Sequence, residues 1–133
     1  MTDSESPPET PLRVLIVEDE TLIRWAVAEA LTAAGHTVLE APDAATALRV
    51  VDEAPAPMDA VVLDLRLPDS SDLSLLAAIR RRTPSSAVVM MTAHGTPEDA
   101  AGARALGAFD VVEKPFDVQK MERLVIAACR ARP

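Results

Sequence analysis

Three stretches constrain the fold of this chain more than anything else in it: V-L-I-V from Val14, A-V-V-L from Ala60 and A-V-V-M-M from Ala87. Each is apolar on both faces of an extended backbone, whereas a strand with one wet face would alternate. Strands of that kind belong in a parallel sheet covered by helices on each side. The rest of the chain supplies the helices. Short β-branched runs occur at Arg13–Val17, Thr37–Glu40, Ala60–Asp64, Ala87–Thr92 and Phe109–Glu113, and helical spacing occupies about Glu20–Ala34, Ala44–Ala54, Leu73–Arg81, Pro97–Leu106 and Val118–Arg130. Five β–α repeats make an α/β, doubly wound sheet the natural solution. Right-handed connections then place the functional crevice at the C-terminal ends of the strands, where the winding reverses.

Local signals support the helices. Ile23, Val27, Ala30, Leu31 and Ala34 share one face of the first, and Gly35 stops it. Asp43 can cap the second. Thr96-Pro97-Glu98-Asp99 opens the fourth with a capping hydroxyl, a proline and two acids at the positive end of the dipole. Val118, Met121, Val125 and Ala128 form the stripe of the fifth. Trp25 falls off the main apolar face of its helix and is expected to be partly exposed. His36 reads as a turn residue, Glu20 as a partner for Arg24 one helical turn on, and Cys129 as a small apolar side chain of the last helix.

At 133 residues and 49% hydrophobic content the chain fits one domain with a real core. Residues 12 to 133 are expected to form it. Met1 to Pro11 holds prolines and acids with almost no apolar side chains, the composition of a disordered leader. With 13 basic against 21 acidic residues the net charge is −8, which argues against direct binding to nucleic acid or an anionic membrane. One cysteine allows no internal disulfide, and no apolar run approaches the length of a membrane span. A cytoplasmic location is the expectation.

The chemistry gathers where the strands stop. V-L-I-V runs straight into Glu18-Asp19-Glu20. Two carboxylates about 4 Å apart repel by roughly 4 kcal/mol at an effective dielectric near 20, so a core strand ending in three acids needs a compensating cation. The third strand ends in Asp64, the fourth in Thr92, and Lys114 follows the fifth. Hard oxygen donors in that number suit Mg²⁺ (or Mn²⁺). Lys114 could act as a point charge on a phosphoryl group, the Thr92 hydroxyl could hydrogen-bond one of its oxygens, and Asp64 is the best candidate for a nucleophile that accepts phosphate.

Taken together, L-I-V-E-D-E, V-V-L-D-L-R-L-P-D, V-M-M-T-A-H and G-A-F-D-V-V-E-K-P-F-D resemble the receiver domain of two-component response regulators. L-I-R-W from Leu22, with Arg66, His94 and Phe109, looks most like receivers of the nitrogen-regulatory, enhancer-binding type. The resemblance implies a flavodoxin-like sheet of order 2-1-3-4-5 with five helices on its two faces. It implies Asp64 as phosphoacceptor, Asp19 and Asp64 as direct metal ligands, Glu18 assisting, and the backbone carbonyl of Arg66 completing the set. Thr92 and Lys114 would bind phosphoryl oxygens, and Arg66 and His94 would tune the phosphate lifetime. A histidine kinase or phosphotransfer protein would be the donor, an output domain or protein the recipient of the signal, and a phosphorylation-dependent homodimer is compatible with the family.

Two positions depart from the family pattern. Val111 stands where an aromatic switch residue is usual, and Asp72 stands where the loop after Pro68 usually has Gly, a place for positive φ. Other functions fit less well. An aspartyl-phosphate hydrolase of the haloacid-dehalogenase type carries D-x-D, but Leu65 and Arg66 follow Asp64 here. A nucleotide or flavin module would need a glycine-rich cradle, and the chain has four glycines and neither G-x-G-x-x-G nor G-x-x-x-x-G-K-[ST].

Overall fold

The computed structural model describes residues 11 to 132. The expected leader therefore lies, but for Pro11, outside the described residues. In chain order the elements are β1 (Arg13–Val17), α1 (Thr21–Ala33), β2 (Thr37–Ala41), α2 (Ala44–Glu53), β3 (Ala60–Asp64), α3 (Ser74–Arg82), β4 (Ala87–Thr92), α4 (Pro97–Ala105), β5 (Asp110–Glu113) and α5 (Val118–Arg130). The five strands form one parallel sheet in the order β2-β1-β3-β4-β5. This is the doubly wound architecture expected from the alternation of runs, with the flavodoxin-like strand order that the family resemblance implies.

Period-two alternation sorts the strand side chains into two cores. Leu15, Val17, Val61, Leu63, Val88 and Met90 point to the face covered by α2, α3 and α4. Val14, Ile16, Val62, Val89 and Met91 point to the other, under Val27 and Leu31 of α1 and Met121, Val125 and Ala128 of α5. Both cores are lined by apolar side chains, which is why the three diagnostic runs carry no polar residue until the strands end. None of the described helices is long and apolar enough to cross a membrane.

The helix ends follow local chemistry. Asp43 Oδ1 accepts from the Thr46 N–H at 2.7 Å, and Thr96 and Asp99 form a reciprocal capping box. Gly35 and Gly107 terminate α1 and α4 with φ near +99° and +103°. In each case the next residue's N–H returns to a carbonyl five residues earlier, His36 to Leu31 and Ala108 to Ala103. That motif needs the left-handed conformation glycine adopts without penalty.

The structure corrects several expectations. β2 runs one residue further than expected, and β5 starts at Asp110, leaving Phe109 exposed outside it. Among the described residues no non-glycine has positive φ, so Asp72 does not take the left-handed conformation. His36, read as a turn residue, is buried, and its Nδ1 accepts from the Leu12 N–H at 3.0 Å. Arg24 pairs with Glu40, not Glu20, because its side chain turns back toward the sheet edge. Trp25 is 58% exposed, as its position off the helix stripe implied.

Candidate functional site

The C-terminal edge of the sheet brings the strand-end residues together. Asp64 closes β3, Thr92 closes β4, and Glu18 and Lys114 lie one residue beyond β1 and β5. The parallel register makes this unavoidable: Val17 pairs with Leu63, Asp64 with Met91 and Thr92 with Glu113. Carboxylate oxygens of Glu18, Asp19 and Asp64 lie within 4.8 Å of one another. Glu18 is 0% and Asp64 4% exposed, while Asp19 faces solvent.

Lys114 supplies the counter-charge. Its Nζ donates to Asp64 Oδ2 at 2.8 Å and forms an ion pair with Glu18 Oε1. The lysine is placed by its own N–H, which donates to the Thr92 carbonyl at 2.8 Å, and the Lys114–Pro115 peptide is cis. Burial lifts the Glu18 pKa to about 7, against the hydrogen bonds from Lys114 and the Glu20 N–H, with the Asp64 charge adding to the rise. Burial alone would depress Lys114, but its hydrogen bonds to Asp64 and Glu18 prevail and hold it above its ordinary 10.5.

Asp64 Oδ1 accepts from the Arg66 N–H at 3.1 Å, so the β3–α3 connection starts by folding over the carboxylate. The Arg66 side chain is exposed. Thr92 is 1% exposed and its Oγ1 has no hydrogen-bond partner. An orphaned buried hydroxyl costs about 1–3 kcal/mol, so this one stands ready for a ligand atom. His94 lies exposed in the β4–α4 connection. Val111 is half-buried in β5 opposite Met90 and packs against the core under α4.

Three further residues lie against the site or its loops, and the sequence assigned none of them a part in it. A Cβ on Gly95 would lie 2.5 Å from Thr92 Cγ2, so a larger residue there would force the Thr92 side chain or the loop after β4 to shift. Arg24 Nη1 donates to the Glu18 carbonyl at 2.7 Å. Asp69 accepts from the N–H groups of Ala44 and Ala45 at 2.8 and 3.0 Å. Arg24 lies in the L-I-R-W stretch and Asp69 ends V-V-L-D-L-R-L-P-D, whereas Gly95 falls one residue past V-M-M-T-A-H.

Comparison with known proteins decides the family. A model of the response regulator receiver domain matches residues 14–126. The chain belongs to the response regulator receiver domain family. This receiver domain is 39% identical over 120 residues to a putative NtrX-like response regulator of Rickettsia conorii, covering 89% of the chain and 25% of the relative. It is 37% identical over 112 residues to the DNA-binding transcriptional regulator NtrC of Escherichia coli K12, covering 84% of the chain and 24% of that protein. The receiver thus spans about a quarter of the length of the curated relatives it matches. In fold it superposes on a CheY-like receiver domain from Methanospirillum hungatei with a TM-score of 0.84 at 22% identity, over 91% of this chain and 95% of that one. The protein is therefore a signalling domain of two-component systems, similar in sequence to the NtrX and NtrC regulators.

The donor set fits a hard divalent cation. Three carboxylates converge, all donors are oxygen, and the exposed Asp19 leaves a side open to solvent from which a partly hydrated ion can enter.

Proposed function

We propose that Asp64 accepts a phosphoryl group, and that Glu18, Asp19, Asp64 and the Arg66 backbone carbonyl hold Mg²⁺ (or Mn²⁺) while it does so. The observation that carries this reading is the Asp64 carboxylate: buried at a strand end, 2.8 Å from an ammonium and clustered with two other carboxylates. In transfer from the phosphohistidine of a histidine kinase or phosphotransfer protein, an Asp64 oxygen attacks phosphorus. The P–N bond breaks and its electron pair stays on the imidazole nitrogen. Lys114 exchanges its contact with Asp64 for one with a phosphoryl oxygen, and the unpartnered Thr92 hydroxyl donates to another. The cation, when bound, contributes positive charge against the remaining phosphoryl oxygens.

Loss of the phosphoryl group is attack by water on the same phosphorus, with the carboxylate leaving. Arg66 and His94, each two residues beyond a site residue, flank that approach and set the lifetime. The domain acts on no substrate other than its own aspartyl group. The signal leaves through α4, in which only Ala103 is buried, so the helix is held by little apolar area. Phosphate on Asp64 draws Thr92 inward, and because Val111 has no ring to swing, that movement passes through the backbone that follows Thr92. In a longer regulator of the NtrX or NtrC kind, the recipient would be an output domain elsewhere in the protein.

Incubation with Mg²⁺ and labelled acetyl phosphate tests the assignment. One phosphate per chain is expected, with labelling lost on Asp64→Asn and on chelation of the metal. Labelling of Asp64→Asn at the wild-type rate would remove Asp64 from the mechanism, and multiple turnover of acetyl phosphate without a stable adduct would favour a hydrolase.

A further inference from the structure

The corner between β2 and α2, from Glu40 to Ala45, contributes no group to the acidic cluster, yet hydrogen bonds tie it to both loops that carry the proposed ligands. On the first loop, the Glu18 N–H donates to the Ala41 carbonyl at 3.0 Å. Arg24 Nη1 grips the Glu18 carbonyl at 2.7 Å while its Nε donates to Glu40 Oε1 at 3.1 Å. Both polar groups of the Glu18 backbone are therefore held. The direction in which the adjoining Asp19 leaves the chain follows from the orientation of that peptide.

On the second loop, Asp69 Oδ1 and Oδ2 accept from the first two N–H groups of α2, Ala44 at 2.8 Å and Ala45 at 3.0 Å. Helix α2 already has its own N-cap in Asp43, which takes the third N–H. The remaining donors are thus satisfied from another part of the chain. Leu67 and Ser70 close the turn between by exchanging backbone hydrogen bonds at 2.8 and 3.3 Å. At the other end, the Leu65 N–H donates to the Met91 carbonyl at 2.9 Å. The Arg66 carbonyl lies between these two anchors, in a segment that cannot rotate freely.

We infer that the β2–α2 corner sets the geometry of the metal site, with Arg24 and Asp69 as its positioning residues. The inference rests on the metal-binding reading above. Groups that orient metal ligands without touching the metal typically matter by about tenfold or more in affinity.

Arg24 makes the inference sharp, because two effects oppose each other there. Removing a cation beside an acidic cluster should tighten Mg²⁺ on Coulombic grounds. Loss of positioning should weaken it. The test is calorimetric titration of Mg²⁺ into wild type, Arg24→Met, Arg24→Lys, Asp69→Ala and Asp69→Asn, with thermal melts of each in EDTA. Arg24→Met and Asp69→Ala should each weaken binding by about tenfold. Arg24→Lys, which can reach the carbonyl or Glu40 but not both, should weaken it by about threefold, and Asp69→Asn, which keeps one acceptor, by less than about threefold. A role in stability alone would lower the melting temperature and leave the affinity of the folded protein unchanged. Binding by Arg24→Met as tight as wild type, or by Asp69→Ala within twofold of it, overturns the inference. If Arg24→Met shows no cooperative melt, wild-type affinity in Arg24→Lys overturns it instead. Failure of the underlying reading looks different: wild type itself would not bind Mg²⁺, or Asp19→Asn would bind it equally well.

Discussion

Replacing Lys114 with methionine should destabilise the metal-free protein by an amount the site geometry allows one to work out. The ammonium lies 2.8 Å from Asp64 Oδ2 and also pairs with Glu18, and both carboxylates are buried. At an effective dielectric of about 20, one such contact is worth roughly 6 kcal/mol before desolvation. Desolvating the ammonium cancels part of that, and removing one partner of a buried pair typically costs about 3–5 kcal/mol. The Lys114 side chain retains some exposure, so the low end, about 3 kcal/mol, is expected for Lys114→Met at pH 8 in EDTA. For a domain of this size that is a fall in Tm of roughly 10 °C. Adding Asp64→Asn to Lys114→Met removes one of the two stranded carboxylates and should restore about half of the loss. The pH dependence has a definite sign. Glu18 has a folded-state pKa of about 7 against an ordinary 4.5. The cost of its buried charge is therefore absent below pH 4.5 and complete above pH 7. Without Lys114 that pKa rises further, so the defect should be largest at pH 8 and shrink toward pH 6, where Glu18 takes up a proton. Thermal melts at both pH values in EDTA measure all of this. A Tm for Lys114→Met within 3 °C of wild type at pH 8, or a double variant no more stable than the single one, would refute the reasoning.

Other predictions follow from the same structure. Thr96→Ala removes the hydroxyl half of the α4 capping box, worth about 1 kcal/mol, in a helix with one buried residue. Amide exchange across α4 should quicken by roughly fivefold, with α5 unaffected, and unchanged α4 protection would show that tertiary contacts hold it. Cys129 is buried, which raises its thiol pKa above 9.0 despite the nearby Arg132. Iodoacetamide at pH 8 should therefore label it slowly in the folded state and rapidly in denaturant, and equal rates would contradict its burial. Met121→Ala on the inner stripe of α5 should cost about 2–5 kcal/mol in denaturant unfolding, since Met121 is fully buried; a loss below about 1 kcal/mol would mean that the α1–α5 core can collapse around the gap.

The architecture was legible in the sequence because the information that specifies it is local. Runs apolar on both faces demand a doubly covered sheet, glycine and capping residues punctuate the helices, and parallel strands with helical crossovers must present their C-terminal ends together. That is how Glu18, Asp64, Thr92 and Lys114, spread over almost a hundred positions, could be read as one cluster before any contact was known. What the sequence left undetermined was the choice of partner among polar side chains at the surface of the fold. Glu20 lies one helical turn from Arg24, but the guanidinium reaches Glu40 and the Glu18 carbonyl, because the end of β2 lies beside β1 in the sheet. Asp69 ends the V-V-L-D-L-R-L-P-D motif with no partner that the sequence names, yet it caps a helix that began 25 residues earlier. His36 follows a helix-terminating glycine and is nonetheless buried, and the N–H of Leu12, the residue before β1, donates to its ring. Secondary structure follows from periodicity within a segment of the chain. Such hydrogen bonds depend on which segments the sheet order makes neighbours, and that distance exists only after folding.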